Sequence, residues 1–292
     1  MNRNKIALLI LFLILIAGCS SDKRREIRKP VISVSILPQK YFLEQLSDSF
    51  FRINVMVPPG ASPATYALTP GQMKLLSESI LYFQIGHIGF EEAWMDRIAS
   101  TNKKMKICNT SEGIELISGE EEEHGNHVHP DGIDPHVWMS AIQAKKICQN
   151  MHGILVDMFP EQRKRFDVNL EKCMNEVDEL HREIEKKLQP KHQKSFLIFH
   201  PALTYFARDY GLEQHSLELE GKDPTPQHMA KIIQSAQAEG INIVFIQKEF
   251  DMEQARTLAN EIKGKVIPID PLAYNWPDQL RDIADKLDKT LK

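Results

Sequence analysis

The chain has 292 residues, of which 42% are apolar and 26% charged, with 40 acidic against 36 basic side chains. A net charge of −4 does not suggest a nucleic-acid partner, which would want a basic face, and the length is enough for two lobes of ordinary domain size. Four cysteines with no Cys-x-x-Cys pair argue against a thiolate zinc site.

The chain opens on Arg3 and Lys5, an apolar run over Ile6–Ile16, and then Ala17, Gly18 and Cys19. A positive start, a short apolar core and small residues before a cut predict a secretory signal over residues 1–18. The run is too short for a comfortable membrane span, which needs about 20 apolar residues. Ile16-Ala17-Gly18-Cys19 resembles a bacterial lipobox, which implies an acylated Cys19 holding the protein at a membrane. Loss of the signal removes two bases and no acid, so the net charge falls to about −6. Residues 19–29 are polar and charged and read as a tether. Cys108, Cys148 and Cys173 then remain, an odd number, so at least one thiol is free unless it pairs between chains. Cys148 and Cys173 fall in helical patterns and read as buried apolar thiols.

Short β-branched runs at Val31–Ile36, Ile53–Val57, Ile80–Ile85 and Lys106–Cys108 predict strands, with helices between them at Gln39–Leu46, Pro70–Ser77 and Phe90–Ser100. An acidic loop follows, Glu120 to Glu123, and it carries His124, His127 and His129. It reads either as a loose accessory metal tract or as a solvated loop, since ordering it would cost about 1–2 kcal/mol per residue. Ala141–Met158 is helical in pattern. A second helix, starting at Pro160 and running to about Leu188, carries one stripe made of Phe166, Leu170, Cys173, Val177, Leu180, Ile184 and Leu188. About 28 residues span roughly 42 Å, enough to cross between lobes; a coiled-coil dimerisation helix is the alternative. Strands are then expected at Phe196–Phe199, Ser216–Leu219, Ile241–Ile246 and Val266–Ile269, and helices at Ala202–Tyr210, Pro226–Glu239, Met252–Lys263 and Pro277–Leu291. Strand–helix alternation in both halves predicts an α/β fold of two Rossmann-like lobes with parallel sheets, residues 30–158 and 190–292, joined by a long helix over 159–189.

The informative histidines stand at expected strand ends, where ligands bind in open α/β sheets. His200 follows the fifth strand, Asp270 follows the last, and His87 follows the third. His136 lies in Asp134-Pro135-His136-Val137-Trp138, just before the Ala141 helix. Two imidazoles and a carboxylate converging on the crevice between the lobes suit zinc, and also iron or manganese.

Four motifs carry a resemblance. They are Pro58-Pro59-Gly60-Ala61-Ser62-Pro63, the Asp134–Trp138 segment, Phe199-His200-Pro201-Ala202-Leu203-Thr204-Tyr205-Phe206, and Asp270-Pro271-Leu272. In this order over nearly all of residues 30–292, they resemble the TroA-like metal-binding receptors of zinc and manganese ABC importers. The resemblance implies that His136, His200 and Asp270 are metal ligands. Histidine at position 200 looks like the zinc branch, because the manganese branch tends to carry a harder carboxylate there. One position departs from the pattern: a family histidine after the first proline motif is Ala64 here. Three repairs remain open: His87, a histidine of the 124–129 loop, or water. His87 is favoured because it adjoins the same sheet edge.

The function implied is capture of a divalent ion, zinc first, and its delivery to a membrane permease and its ATPase, by a monomer at the membrane surface that closes only slightly about its rigid helix. Binding is expected to fail as imidazoles protonate near pH 6.5. Alternatives are a surface adhesin or metal buffer, a receptor that has lost tight binding, and a zinc hydrolase. The last lacks His-Glu-x-x-His, Gly-x-Ser-x-Gly and a phosphate-binding loop, so no enzyme is expected.

Overall fold

A computed structural model describes residues 29–118, 132–218, 225–250 and 252–291. Two four-stranded parallel sheets organise the described chain. The first is built from β1 (Val31–Val34), β2 (Arg52–Val55), β3 (Ser79–Gln84) and β4 (Lys106–Asn109), in the order β2-β1-β3-β4. Helices α1 (Leu37–Ser47), α2 (Pro70–Glu78) and α3 (Gly89–Thr101) connect these strands. The second sheet repeats the arrangement with β5 (Ser195–Ile198), β6 (Glu213–Ser216), β7 (Ile243–Gln247) and β8 (Lys265–Ile269), in the order β6-β5-β7-β8. Its helices are α6 (Thr204–Asp209), α7 (Pro226–Glu239) and α8 (Met252–Glu261). Between the sheets run α4 (Ala141–Met158) and α5 (Arg163–Leu188), and α9 (Trp276–Thr290) closes the chain.

Parallel sheets need cover on both faces, and β1 and β5 are buried at every residue. Along β5, Phe196 and Ile198 join a core that is continuous with the first sheet, while Leu197 packs on the opposite face with Val244 and Ile246. In each sheet the strand order reverses beside the central pair, β1/β3 and β5/β7. The crevice for a ligand is expected at the carboxyl ends there, and His87 and His200 follow β3 and β5.

Three differences from the sequence reading have local causes. The strand expected at Ser216–Leu219 lies at Glu213–Ser216. Glu213, Gln214 and His215 form an edge strand, where polar side chains are tolerated and the apolar signal is weak. Pro160–Gln162 forms a separate 3-10 turn, so α5 has 26 residues and spans about 39 Å. Its stripe buries Asn169, whereas Leu170 is only half-buried: the Asn169 amide donates to Leu46 O at 3.0 Å and to Asp48 at 3.1 Å, serving the open end of α1. The stripe faces the chain's own α1, α4 and α9. Arg281 of α9 also pairs with Glu183 of α5 at 2.8 Å, and Trp276 meets Phe42 of α1 edge-on at 4.9 Å.

No helix among the described residues is long and apolar enough to cross a membrane. The signal, Cys19 and the histidines at 124, 127 and 129 lie outside the described residues.

Candidate metal centre

His136 and His200 come from different halves of the chain, and their Nε2 atoms stand 3.3 Å apart. Each ring is oriented from behind by a carboxylate. Asp134 accepts both the His136 backbone N–H and its Nδ1 at 2.8 Å. With Pro135 between them, the short side chain closes a local turn onto its own backbone. Glu218 accepts from His200 Nδ1 at 2.5 Å. A carboxylate on Nδ1 selects the tautomer that carries its proton there and leaves Nε2 bare. Two bare lone pairs at 3.3 Å repel unless a cation lies between them. Donors about 2.0–2.1 Å from a tetrahedral zinc ion stand about 3.3–3.4 Å from each other.

Burial lowers the His136 pKa against the pull of Asp134, which keeps that imidazole neutral and able to ligate. Burial alone would raise Asp134's carboxyl, but the charge and hydrogen bonds of His136, with a bond from Thr204, hold it below the usual range. His200 stacks on Phe250, with ring centroids 5.3 Å apart.

The floor beneath the pair is cross-braced between the halves. Trp138 Nε1 donates to Pro271 O at 2.9 Å, and Trp276 Nε1 donates to Trp138 O at 2.6 Å. The Tyr205 hydroxyl donates to Asp134 O at 2.8 Å and accepts from Ile117 N at 3.0 Å. Ser140, which caps α4, bonds Asp209. These partners fix where His136 stands relative to β5.

His87 occupies an unusual backbone position. Gly86 has φ +88° and His87 φ +59°, a left-handed pair at the end of β3. A non-glycine residue held there carries a conformational cost of the kind that gathers at ligand sites. Glu91, buried, accepts from Ile85 N at 2.8 Å and Gly86 N at 2.7 Å, and Ser35 donates to it as well. The Ala64 loop lies directly against this turn. Phe90 N donates to Pro63 O at 2.6 Å, and a Cβ on Gly89 would stand 3.3 Å from the Cα of Ala64.

The family of the zinc-uptake complex component A, periplasmic (ZnuA), matches residues 32–290. The chain belongs to this family. The high-affinity zinc uptake system protein ZnuA of Bacillus subtilis is 25% identical over 274 residues, 86% of this chain and 83% of its own length. The zinc-binding lipoprotein AdcA of Streptococcus pneumoniae is 24% identical over 280 residues, which are 92% of this chain and 55% of AdcA. The chain thus spans about half the length of that curated relative. A ZnuA crystal structure is 33% identical with a TM-score of 0.83, covering 89% of this chain and 98% of its own. A ZnuA deletion variant with zinc bound has the same identity and TM-score, covering 90% and 98%. The ZnuA family is described by uptake and not by a reaction.

Within this ZnuA frame, His136 and His200 meet as a pair. Asp270, one residue beyond β8, accepts from Lys248 Nζ at 2.9 Å, and that bond raises the lysine's pKa. Among the described residues, no three His, Cys, Asp or Glu side chains already converge as a cluster able to hold a metal ion. Several residues with a part in the site escaped the sequence reading. Glu218 was placed inside an expected strand; with β6 ending at Ser216, it stands beyond the strand's carboxyl end, as His200 does beyond β5. Gln247, the last residue of β7, donates to His200 O at 2.6 Å and accepts from His200 N at 3.4 Å. Glu249 is raised by burial and further by Asp270, while the charge of His200 pulls it down. Asp134 opens the Asp134–Trp138 segment, but only the fold shows its side chain against the His136 ring.

Proposed function

We propose that this chain is an extracytoplasmic receptor that captures zinc between its two halves and passes it to an ABC transporter permease for uptake. Zinc is the cargo. His136 and His200 hold it through Nε2, Asp270 supplies a carboxylate on release from Lys248, and His87 takes the place left by Ala64. The observation that carries this reading is the pair of Nε2 atoms 3.3 Å apart, each backed by a carboxylate on Nδ1. The left-handed backbone at His87, beside the Ala64 loop, supports its part. The relatives named for zinc uptake and zinc binding support the choice of metal. A lipid on Cys19 would hold the receptor beside its permease, and the histidines at 124, 127 and 129 would raise the local metal concentration.

The interlobe bonds around Trp138 and Trp276 oppose wide opening, so loading and release involve small movements at the crevice. Competition with a chelator of known affinity tests the site. His136→Ala and His200→Ala are each expected to weaken zinc binding more than about a hundredfold, beyond the 10–100-fold typical of supporting residues. His87→Ala is expected to weaken it at least tenfold. Unchanged affinity in His136→Ala or His200→Ala would remove the proposed site, and unchanged affinity in His87→Ala would leave position 64 to another donor. Parallel titrations with manganese and iron(II) test the preference for zinc. Transport is tested separately: deletion of the chain should abolish uptake at low zinc, and His200→Ala should fail to restore it.

A further inference from the structure

Away from the metal centre, two thiols face each other. Cys148 on α4 and Cys173 on α5 are 0% and 3% exposed, and their sulfurs stand 3.4 Å apart. They are 25 positions apart in sequence and meet where the two helices pack. Cys108, half-buried next to the end of β4, is the remaining cysteine among the described residues. We propose that Cys148 and Cys173 form a disulfide bond that ties α4 to α5.

Sulfurs 3.4 Å apart are in van der Waals contact, and a disulfide would close that gap to about 2.05 Å. The proposal draws on the periplasmic description of the family for its setting, since disulfides form and persist in that compartment. It does not depend on the metal reading. In the reaction each thiol gives up its hydrogen and the two sulfurs bond. Two electrons and two protons pass to a disulfide-bearing oxidant, a thiol–disulfide oxidoreductase or a small disulfide, whose own S–S bond opens to two thiols. One cysteine attacks the oxidant as its thiolate, and the second displaces the resulting mixed disulfide. Because both sulfurs are buried in the folded chain, this exchange belongs to the folding chain, before α4 and α5 close on each other. The neighbouring Cys173 sulfur, and then burial, also push the Cys148 thiol far up, so a pair left reduced would be inert once enclosed. The bond would restrain α4, which begins at Ala141 directly after the turn that carries His136.

The test uses the full chain, exported by a bacterial host and purified without reductant. It is unfolded with an alkylating label, then reduced and treated with a heavier label before peptide mapping by mass spectrometry. The expected result is the heavy label on Cys148 and Cys173 and the light label on Cys108. The pattern should persist at Cys148 and Cys173 in Cys108→Ser. In Cys148→Ala, residue Cys173 should lose its partner and take the light label. Light label on both Cys148 and Cys173 in the exported chain would overturn the proposal, as would heavy label on Cys108 paired with either.

Discussion

The ends of β3 and β5 carry the two strand-end histidines, and they are held by different chemistry. Behind β3 the braced groups are two backbone N–H donors, of Ile85 and Gly86, and the brace is the carboxyl group of Glu91, which accepts from both. Behind β5, the brace must meet both the N–H and the C=O of His200, and it is the Gln247 amide, which accepts and donates. Both braces are buried, at 4% and 3% exposure. The side chain that fits is set by which backbone groups the turn leaves open. The difference brings a second consequence: one brace titrates and the other does not.

Burial raises Glu91 to about 7 from 4.5, against the bonds from Ser35, Ile85 and Gly86 that favour its charge. Between those two pH values the unfolded chain has released its proton and the folded chain still holds one. Glu91's contribution to stability is therefore full below pH 4.5, falls as the pH rises to 7 and is level above it. The swing is roughly 3 kcal/mol. Urea unfolding of the metal-free chain across this range should show the fall in wild type relative to Glu91→Gln, which has no proton to lose; parallel pH profiles would break the contrast between the braces. The converse change, Gln247→Glu, removes the donor to His200 O and is expected to cost about 1–3 kcal/mol at pH 8. A denaturation midpoint equal to wild type would show that the amide's two-way bonding is dispensable.

The contrast sharpens at the rings. Asp134 holds both the backbone and the ring of His136, whereas Glu218 holds only the ring of His200. Asp134→Asn is expected to weaken zinc binding towards the upper end of a 10–100-fold range, and Glu218→Gln towards its lower end. Chelator competition at constant pH measures both, and the reverse order would mean that backbone anchoring of His136 matters less than the charge behind His200. The smallest effect is expected from Lys248→Ala, which removes an exposed ammonium from Asp270. Exposed pairs contribute only about 0.2–1 kcal/mol, so zinc affinity should rise by no more than about fivefold; a fall would mean that Lys248 helps to hold Asp270 in place.

Much of the plan was legible before any coordinates. Alternating strands and helices declared two parallel-sheet lobes, because hydrophobic period and turn residues are local signals. The same rule placed His87, His200 and Asp270 beyond β3, β5 and β8, and the stripe on α5 announced its buried face. The misplaced β6 marks where that reading weakens: a polar edge strand has little apolar pattern, and the error hid Glu218.

What the sequence determined by itself is thus whatever depends on neighbours along the chain: the lobes, the long helix and the histidines at strand ends. Tertiary structure alone decided which carboxylate stands behind which imidazole, why Glu91 and not an amide closes the turn before His87, and that Cys148 meets Cys173. Glu218–His200 and Cys148–Cys173 join residues 18 and 25 positions apart, and the shorter-range bonds of Asp134 and Glu91 take their weight from burial in the assembled fold. Their energies come from burial and from hydrogen-bond matching across the interior, which no local pattern encodes.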